Sequence, residues 1–320
     1  MALCRSKLAI IGMGNVGRAL AHHLTIGNTC DELVLINRNP DTAWGEAEDL
    51  KHSLGFSETR MRIRAGKYAD CADADIVVLA VAAPYAEGFT RLDMVDKATA
   101  MLADIVPQVM KSGFSGIFIV ITNPVDALSY LTHKLSGLPS SHVIGTGTSL
   151  DSARLRYFLA ETMEVDPRSV EAVCMGEHGD SQMIPWSRVT VGAKQFHQIL
   201  EDNAERLKGV DPAQVLKETS QIAYRIVKAK GSTAYGIASV AARMIKAIIK
   251  DENIVMPASV MLNGEYDETD VYAGVPAVIT RNGIKELVTY HLEDDELDAF
   301  KKSIAILREV NEKMMGRVDR

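Results

Sequence analysis

Residues 7–24 read KLAIIGMGNVGRALAHHL. A short apolar run enters Gly12, Gly14 and Gly17, and an amphipathic segment leaves them. The spacing is G-x-G-x-x-G, set between a predicted strand and a predicted helix. In that setting each glycine has a task. The first permits a tight turn, the second lets the backbone approach a pyrophosphate, and the third lets the helix pack closely on the strand. The start of the helix then offers unpaired N–H groups and the positive end of its dipole to the phosphates. Gly12, Met13, Gly14, Asn15, Val16 and Gly17 therefore form a predicted dinucleotide phosphate loop.

A site of this kind usually closes its second strand with an acid, about 20 residues on, that holds the adenosine ribose. Twenty residues after Gly17 stands Asn37, in ELVLINRNP, followed by Arg38. Asn37 can hydrogen-bond a ribose hydroxyl but carries no charge to repel a 2′-phosphate, and Arg38 can meet one directly. Two readings stay open. Either cofactor preference is relaxed toward the phosphorylated form, or Arg38 is solvated and Asn37 serves the unphosphorylated one. NAD is the expected cofactor, with NADP possible.

Outward from this loop the pattern alternates. ELVLIN, DIVVLAVA, GIFIVI and HVIG read as buried strands, with amphipathic segments at 92–111 and 124–136 between them. Alternation of this kind predicts a doubly wound parallel Rossmann sheet over residues 1–146, with helices on both faces. From 147 to 320 the order changes to an expected α+β substrate domain. SLDSARLRYFLAETM reads as a helix, 169–174 and 186–191 as strands, and about 197–250 as a long helical region. NIVMPASVML and AVIT read as strands, and a closing helix carries Leu297, Phe300, Ile304, Leu307 and Met314 as a core stripe.

Composition narrows the class. Of 320 residues, 47% are hydrophobic and 24% charged, an ordinary globular profile. A net charge of −7 argues against a nucleic-acid or membrane-surface partner. The 4 cysteines show no C-x-x-C pair, so neither a zinc site nor a disulfide scaffold is expected. No apolar run approaches the roughly 18 residues that span a bilayer. A cytoplasmic protein acting on a small molecule is expected.

The second half holds CMGEHGDSQMIPW, residues 174–186, where His178 lies between Glu177 and Gly179. A histidine in a glycine turn is often only a surface residue. Hydride exchange with a 2-keto or 2-hydroxy acid, however, needs a proton carrier near neutral pH, a carboxylate to orient it and a guanidinium for the substrate carboxylate. A second cation, on a loop able to exclude water, would polarise the carbonyl. Candidates exist for each. Asp151 and Arg154 are three apart on one predicted helix, either as a surface pair or facing a cleft. Arg91 follows a strand end in AAPYAEGFTRLDMVDK, and Asn123 follows another in ITNPVD.

The blocks GMGNVG, TRLDMVDK, TNPVD, VIGTGTSLDSARLR, GEHGDSQ and KGSTAYGIA, in this order, resemble the L-lactate/L-malate dehydrogenases, including the L-2-hydroxyisocaproate dehydrogenases, over nearly the whole chain. The resemblance implies that His178 gives and takes the substrate proton with Asp151 as its partner, and that Arg154 binds the substrate carboxylate. It also implies that Arg91 polarises the carbonyl, that Asn123 and Thr233 line the site, and that the chain forms a homotetramer or dimer. The expected activity is interconversion of a 2-keto acid, pyruvate, and its L-2-hydroxy acid. The alternative is a larger apolar 2-keto acid.

Some positions depart from the resemblance. Malate-type members carry a second arginine where this chain has Tyr85, which cannot pair bidentately with a second carboxylate, so oxaloacetate is a poor candidate. Pro84 precedes it, and Ala82 replaces a glycine expected beside the cofactor. Thr233 leans toward the lactate type. Many bacterial relatives resembling this chain bind fructose 1,6-bisphosphate through an arginine and a histidine. Arg156 matches the first, but Glu171 replaces the second and should repel the phosphates, so no such activation is expected.

Overall fold

The computed structural model describes residues 5–82 and 91–318. The first half alternates as β1 (Lys7–Ile11), α1 (Asn15–Ile26), β2 (Glu32–Ile36), α2 (Pro40–Leu54), β3 (Arg62–Ala65), β4 (Ile76–Leu79), α3 (Arg91–Lys111), β5 (Ile117–Val120), α4 (Val125–Ser136) and β6 (Val143–Gly145). These six strands are all parallel and lie in the order β3-β2-β1-β4-β5-β6. The order reverses between β1 and β4, and the crevice above such a reversal is where ligands bind in doubly wound sheets.

The strands are apolar throughout because both faces are covered. Leu8 and Ile10 of β1 pack with Leu20 and Leu24 of α1 on one side. Ala9 and Ile11 face the other way, onto Leu102 of α3 and Leu128 of α4. Successive strand residues point to opposite faces, so five residues serve two cores.

The second half begins with α5 (Ser149–Met163) and a small antiparallel sheet of β7 (Val170–Glu171), β8 (Thr190–Val191) and β9 (Lys194–Gln195). Helices α6 (Phe196–Asp202), α7 (Ala204–Leu207), α8 (Pro212–Lys230) and α9 (Tyr235–Lys250) follow. Strands β10 (Ile254–Asn263), β11 (Thr269–Thr280) and β12 (Gly283–Leu287) join the main sheet antiparallel beyond β6, and α10 (Asp294–Val318) closes the chain.

Several expectations need correction. The helical region expected at 197–250 is four helices, because Asp211 caps a fresh start at Pro212 and Gly231 ends α8 at φ +86. The strand expected at 186–191 is a 3-10 turn at Trp186–Arg188 followed by the two residues of β8. Strands β3, β9 and β12 were not expected. Among the described residues no helix is long and apolar enough to cross a membrane.

Candidate active site

At the phosphate loop, Gly12 has φ +107, and a Cβ there would stand 2.6 Å from the carbonyl oxygen of Ala80, just past β4. A Cβ on Gly17 would stand 1.9 Å from the Gly12 oxygen, so only glycine lets α1 seat itself this close to the turn. Gly14 is the N-cap of α1 and faces open space. No side chain caps the helix there, and no acid lies in its first turn. Free N–H groups, a positive dipole end and room for an anion fit a dinucleotide pyrophosphate.

Asn37 has a further task. Its Oδ1 accepts from the Met13 N–H at 3.2 Å, and its Nδ2 donates to the Asn39 carbonyl at 3.2 Å. The side chain expected at the ribose therefore also ties the phosphate loop to the end of β2, with one lone pair and one N–H to spare. Arg38 is exposed and has no ion-pair partner among the described residues. Val16 packs against the core, and Ala82 lies exposed beyond β4. Asn15 Nδ2 donates to Ser232 Oγ at 3.1 Å, so the residue next to Thr233 in the chain meets the head of α1.

The histidine loop is built by pairing on all sides. Met175 and Met183 exchange backbone bonds of 2.8 and 2.9 Å and close the loop between them. Gly176 and Gly274 of β11 exchange bonds of 2.9 and 2.8 Å beneath it. From α10, Ser303 Oγ accepts from the Glu177 N–H at 2.8 Å. Thr148 Oγ1 donates to the Cys174 carbonyl at 2.6 Å, and the Cys174 N–H donates to Ser152 Oγ at 2.9 Å. These last two bonds lace the start of α5 to the Cys174 peptide that leads into the loop, with Asp151 between them.

His178 Nδ1 consequently meets Asp151 Oδ2 at 2.6 Å. Arg154 donates from one terminal nitrogen to Asp151 Oδ1 at 2.9 Å. The surface-pair alternative for Asp151 and Arg154 is excluded: their side chains are 4% and 14% exposed, and that of His178 is 23% exposed. Burial raises the pKa of the Asp151 carboxyl, but the charge and hydrogen bond of His178, then those of Arg154, outweigh it and hold it below the ordinary carboxylate value. Burial lowers the pKa of His178. Asp151, by charge and hydrogen bond, and Asp126 outweigh that and the opposing Arg154, so the imidazole stays protonated above its usual 6.5. With Nδ1–H bound to Asp151, Nε2 is left for a substrate.

Arg154 spends one nitrogen on Asp151, and its other donors have no partner among the described residues. Asn123 is exposed past the end of β5. Arg91 opens α3, the next helix after β4, and its side chain lies outside the described residues, as do Pro84 and Tyr85. The sequence reading missed Asp126, which accepts from the His178 N–H at 2.8 Å and from the Ser259 hydroxyl, and Ser303, which accepts from the Glu177 N–H. Asp126 stands in the quoted block TNPVD, three residues from Asn123, so it was open to inspection.

A family model described as the lactate/malate dehydrogenase NAD binding domain matches residues 6–145, and one for the lactate/malate dehydrogenase alpha/beta C-terminal domain matches 148–317. Similar proteins include L-lactate dehydrogenase 3 of Bacillus anthracis, 46% identical over 303 residues, covering 95% of this chain and 96% of that one. L-lactate dehydrogenase 2 of Bacillus cereus strain ATCC 10987 is 44% identical over 304 residues, with the same coverage. Among solved structures, the lactate dehydrogenase MGS-M5 from a Medee basin deep-sea metagenome library matches with TM-score 0.94 at 39% identity, covering 98% of this chain and 100% of that one. The minor L-lactate dehydrogenase of Enterococcus mundtii in its ligands-bound form matches with TM-score 0.93 at 40% identity, covering 97% and 98%. The fold and the family models define an NAD-binding oxidoreductase acting on the CH–OH group of a hydroxy acid. The chain belongs to the lactate/malate dehydrogenase family.

Proposed function

We propose that the chain is an L-lactate dehydrogenase, with residues 1–146 as its NAD(P)-binding domain and 147–320 as its substrate domain. The observation that carries this reading is the 2.6 Å contact of His178 Nδ1 with an Asp151 whose other oxygen is held by Arg154. In pyruvate reduction the free donors of Arg154 take the substrate carboxylate as a fork. That grip turns the carbonyl oxygen toward His178 Nε2–H, and Asn123 and Thr233 line the remaining wall. Arg91, at the head of α3, polarises the carbonyl, and Tyr85, at the sequence position where malate-type members carry a second arginine, offers no cation for a second carboxylate. The nicotinamide cofactor, its pyrophosphate held at the Gly12–Gly17 loop, would supply the hydride that reduces the carbonyl carbon. His178 gives its Nε2 proton to the oxygen, yielding the L-2-hydroxy acid, and Asp151 keeps the now neutral ring in place. Lactate oxidation reverses these steps, with neutral His178 as the base.

The expected test result is that NADH reduces pyruvate with a kcat/KM at least about tenfold above 4-methyl-2-oxopentanoate and oxaloacetate, ~1.4 kcal/mol in the barrier. A tenfold lead for the branched acid would make this an enzyme for larger apolar 2-keto acids, and a lead for oxaloacetate would sink the role given to Tyr85. With Asn37 neutral and Arg38 unpaired, NADPH is expected to serve within about tenfold of NADH. A preference for NADH beyond about a hundredfold contradicts that.

The raised pKa of His178 sets the pH dependence. Reduction needs the imidazolium, so kcat/KM for pyruvate should be flat at low pH and fall as pH rises through a pKa above 6.5, while lactate oxidation should rise over the same interval. A reduction profile that climbs with pH would overturn the proton role.

Glu171 lies exposed on β7, where an acid repels a bisphosphate. Added fructose 1,6-bisphosphate is expected to leave the rate unchanged, and a clear activation would show Glu171 to be no barrier. A homo-oligomer, a tetramer or dimer, is supported by exposed Ile26, Trp44 and Tyr235 on α1, α2 and α9, large apolar side chains that a monomer leaves in water. A cytoplasmic location is supported by Cys30, Cys71 and Cys174, all buried and free.

A further inference from the structure

Asp126 lies in the first turn of α4, nearly closed off from solvent, under the loop that carries His178. Its Oδ2 accepts the backbone N–H of His178 at 2.8 Å. Its Oδ1 accepts the hydroxyl of Ser259 at 2.5 Å. Ser259 is fully buried on β10, opposite Gly145 at the end of β6. One carboxylate thus joins three things: the helix that follows Asn123, the strand that extends the parallel sheet, and the peptide of the histidine itself.

A buried carboxylate without a cation against it is costly, and water-free hydrogen bonds only partly offset the loss of hydration. Burial accordingly pushes the Asp126 pKa up to about 6, against the pull of Ser259, the His178 N–H and the His178 charge, with Glu177 adding to the rise. In its ionised form Asp126 favours the protonated imidazole of His178. Among the described residues, the charged groups that act on His178 include two carboxylates, Asp151 from α5 and Asp126 from α4, and the guanidinium of Arg154.

We propose that Asp126 is a positioning residue of the reaction: its carboxylate holds the histidine's own backbone N–H, fixing where the imidazole stands, and sets a second negative charge beside that of Asp151 for the imidazolium to face. The role rests on His178 being the proton carrier. Because α4 begins at Val125, two residues after Asn123, the turn that presents the Asn123 amide also grips the histidine loop. The two substrate-facing groups are thereby held in register across the two halves of the chain.

The test is the pH dependence of kcat/KM for pyruvate reduction by NADH in the full-length enzyme and four variants. In Asp126→Asn the amide carbonyl still accepts the His178 N–H, but the charge is gone. Its maximal kcat should stay within about threefold of wild type, while the alkaline limb moves to lower pH by about half a unit to one unit. Asp126→Ala should show the same displacement together with a fall in kcat of about tenfold or more, because the His178 N–H loses its acceptor. Ser259→Ala removes the hydroxyl that favours the ionised carboxylate, and should move the limb the same way by less. Should Asp126→Ala fail to fold, the other two still decide. An alkaline limb in Asp126→Asn that coincides with wild type, whatever its kcat, overturns the proposal. His178→Asn separates the two claims. If that variant keeps turnover and the wild-type limb, the reading of His178 fails. If it is inactive while Asp126→Asn matches wild type in pH dependence, only the role of Asp126 fails.

Discussion

Exchange of His178 for Asn is expected to abolish turnover while leaving NADH binding in place. Asparagine is neutral, close in size, and can still donate to Asp151, so the loop held by Met175–Met183, Gly176–Gly274 and Ser303 should keep its shape. It cannot carry a proton at neutral pH. Loss of a positioned general acid and base costs about a hundredfold to ten-thousandfold, and here the imidazolium that draws the carbonyl oxygen goes with it. A fall in kcat/KM of at least about a thousandfold, ~4 kcal/mol, is therefore expected. The dinucleotide loop between Gly12 and Gly17 belongs to other elements, so Kd for NADH should stay within about threefold. Steady-state rates and NADH fluorescence titration on the same preparation measure both. Retention of more than a tenth of the wild-type rate would remove His178 from the chemistry.

Exchange of Arg154 for Gln should produce the second large effect, and a different signature. Two charge-assisted bonds to a substrate carboxylate are worth about 1.5–3 kcal/mol each, so losing the fork should lower kcat/KM for pyruvate about a hundredfold or more, chiefly through KM. Arg154→Lys should recover only part of this, because an ammonium is a point charge and not a planar fork. The pH profile supplies an independent sign. Arg154 also faces His178 and works against its protonation. With the guanidinium gone, the pull of Asp151 and Asp126 on the imidazole loses the opposition of Arg154, so its pKa should rise and the alkaline limb of pyruvate reduction should move to higher pH. A limb that moves to lower pH, or a KM unchanged from wild type, would show that Arg154 serves only to brace Asp151.

Those two side chains illustrate what is legible in a sequence of this kind. The glycine spacing after KLAII announced β1, the turn and α1, because the steric demands of that turn fall on three positions that are readable one by one. His178, Asp151 and Arg154 were readable because each residue type is costly in an apolar setting and their chemistry is complementary. Their contacts were less so: Arg154 shares Asp151 with His178, a geometry that depends on how α5 is laced to the peptide of Cys174.

Other features were hidden for physical reasons. β3 reads RIRA, and its two arginines suggest a surface segment. Strand formation follows from its place at the sheet edge, where Arg64 pairs with Glu32 of β2 and with Asp70 while Ile63 is buried in the core and Ala65 packs against it. β12 is likewise an edge strand. The break between α7, α8 and α9 could have been found, since Asp211-Pro212 is a helix start and Gly231 a helix end. Asn37 could not have been seen to turn toward Met13, nor Asp126 to lie under His178, since both depend on contacts between distant parts of the chain.

The most direct measurement of the central claim, that the His178–Asp151 pair carries the substrate proton, is the proton uptake when oxamate binds the enzyme–NADH complex. Oxamate is the amide analogue of pyruvate and is not reduced under these conditions, so it reports the protonation needed for binding without turnover. At pH values above the His178 pKa, wild-type enzyme should take up about one proton per site, and the uptake should vanish as pH falls through that pKa. The same measurement on His178→Asn should show no uptake at any of these pH values. An equal uptake in both proteins would place the proton on another group and contradict the assignment.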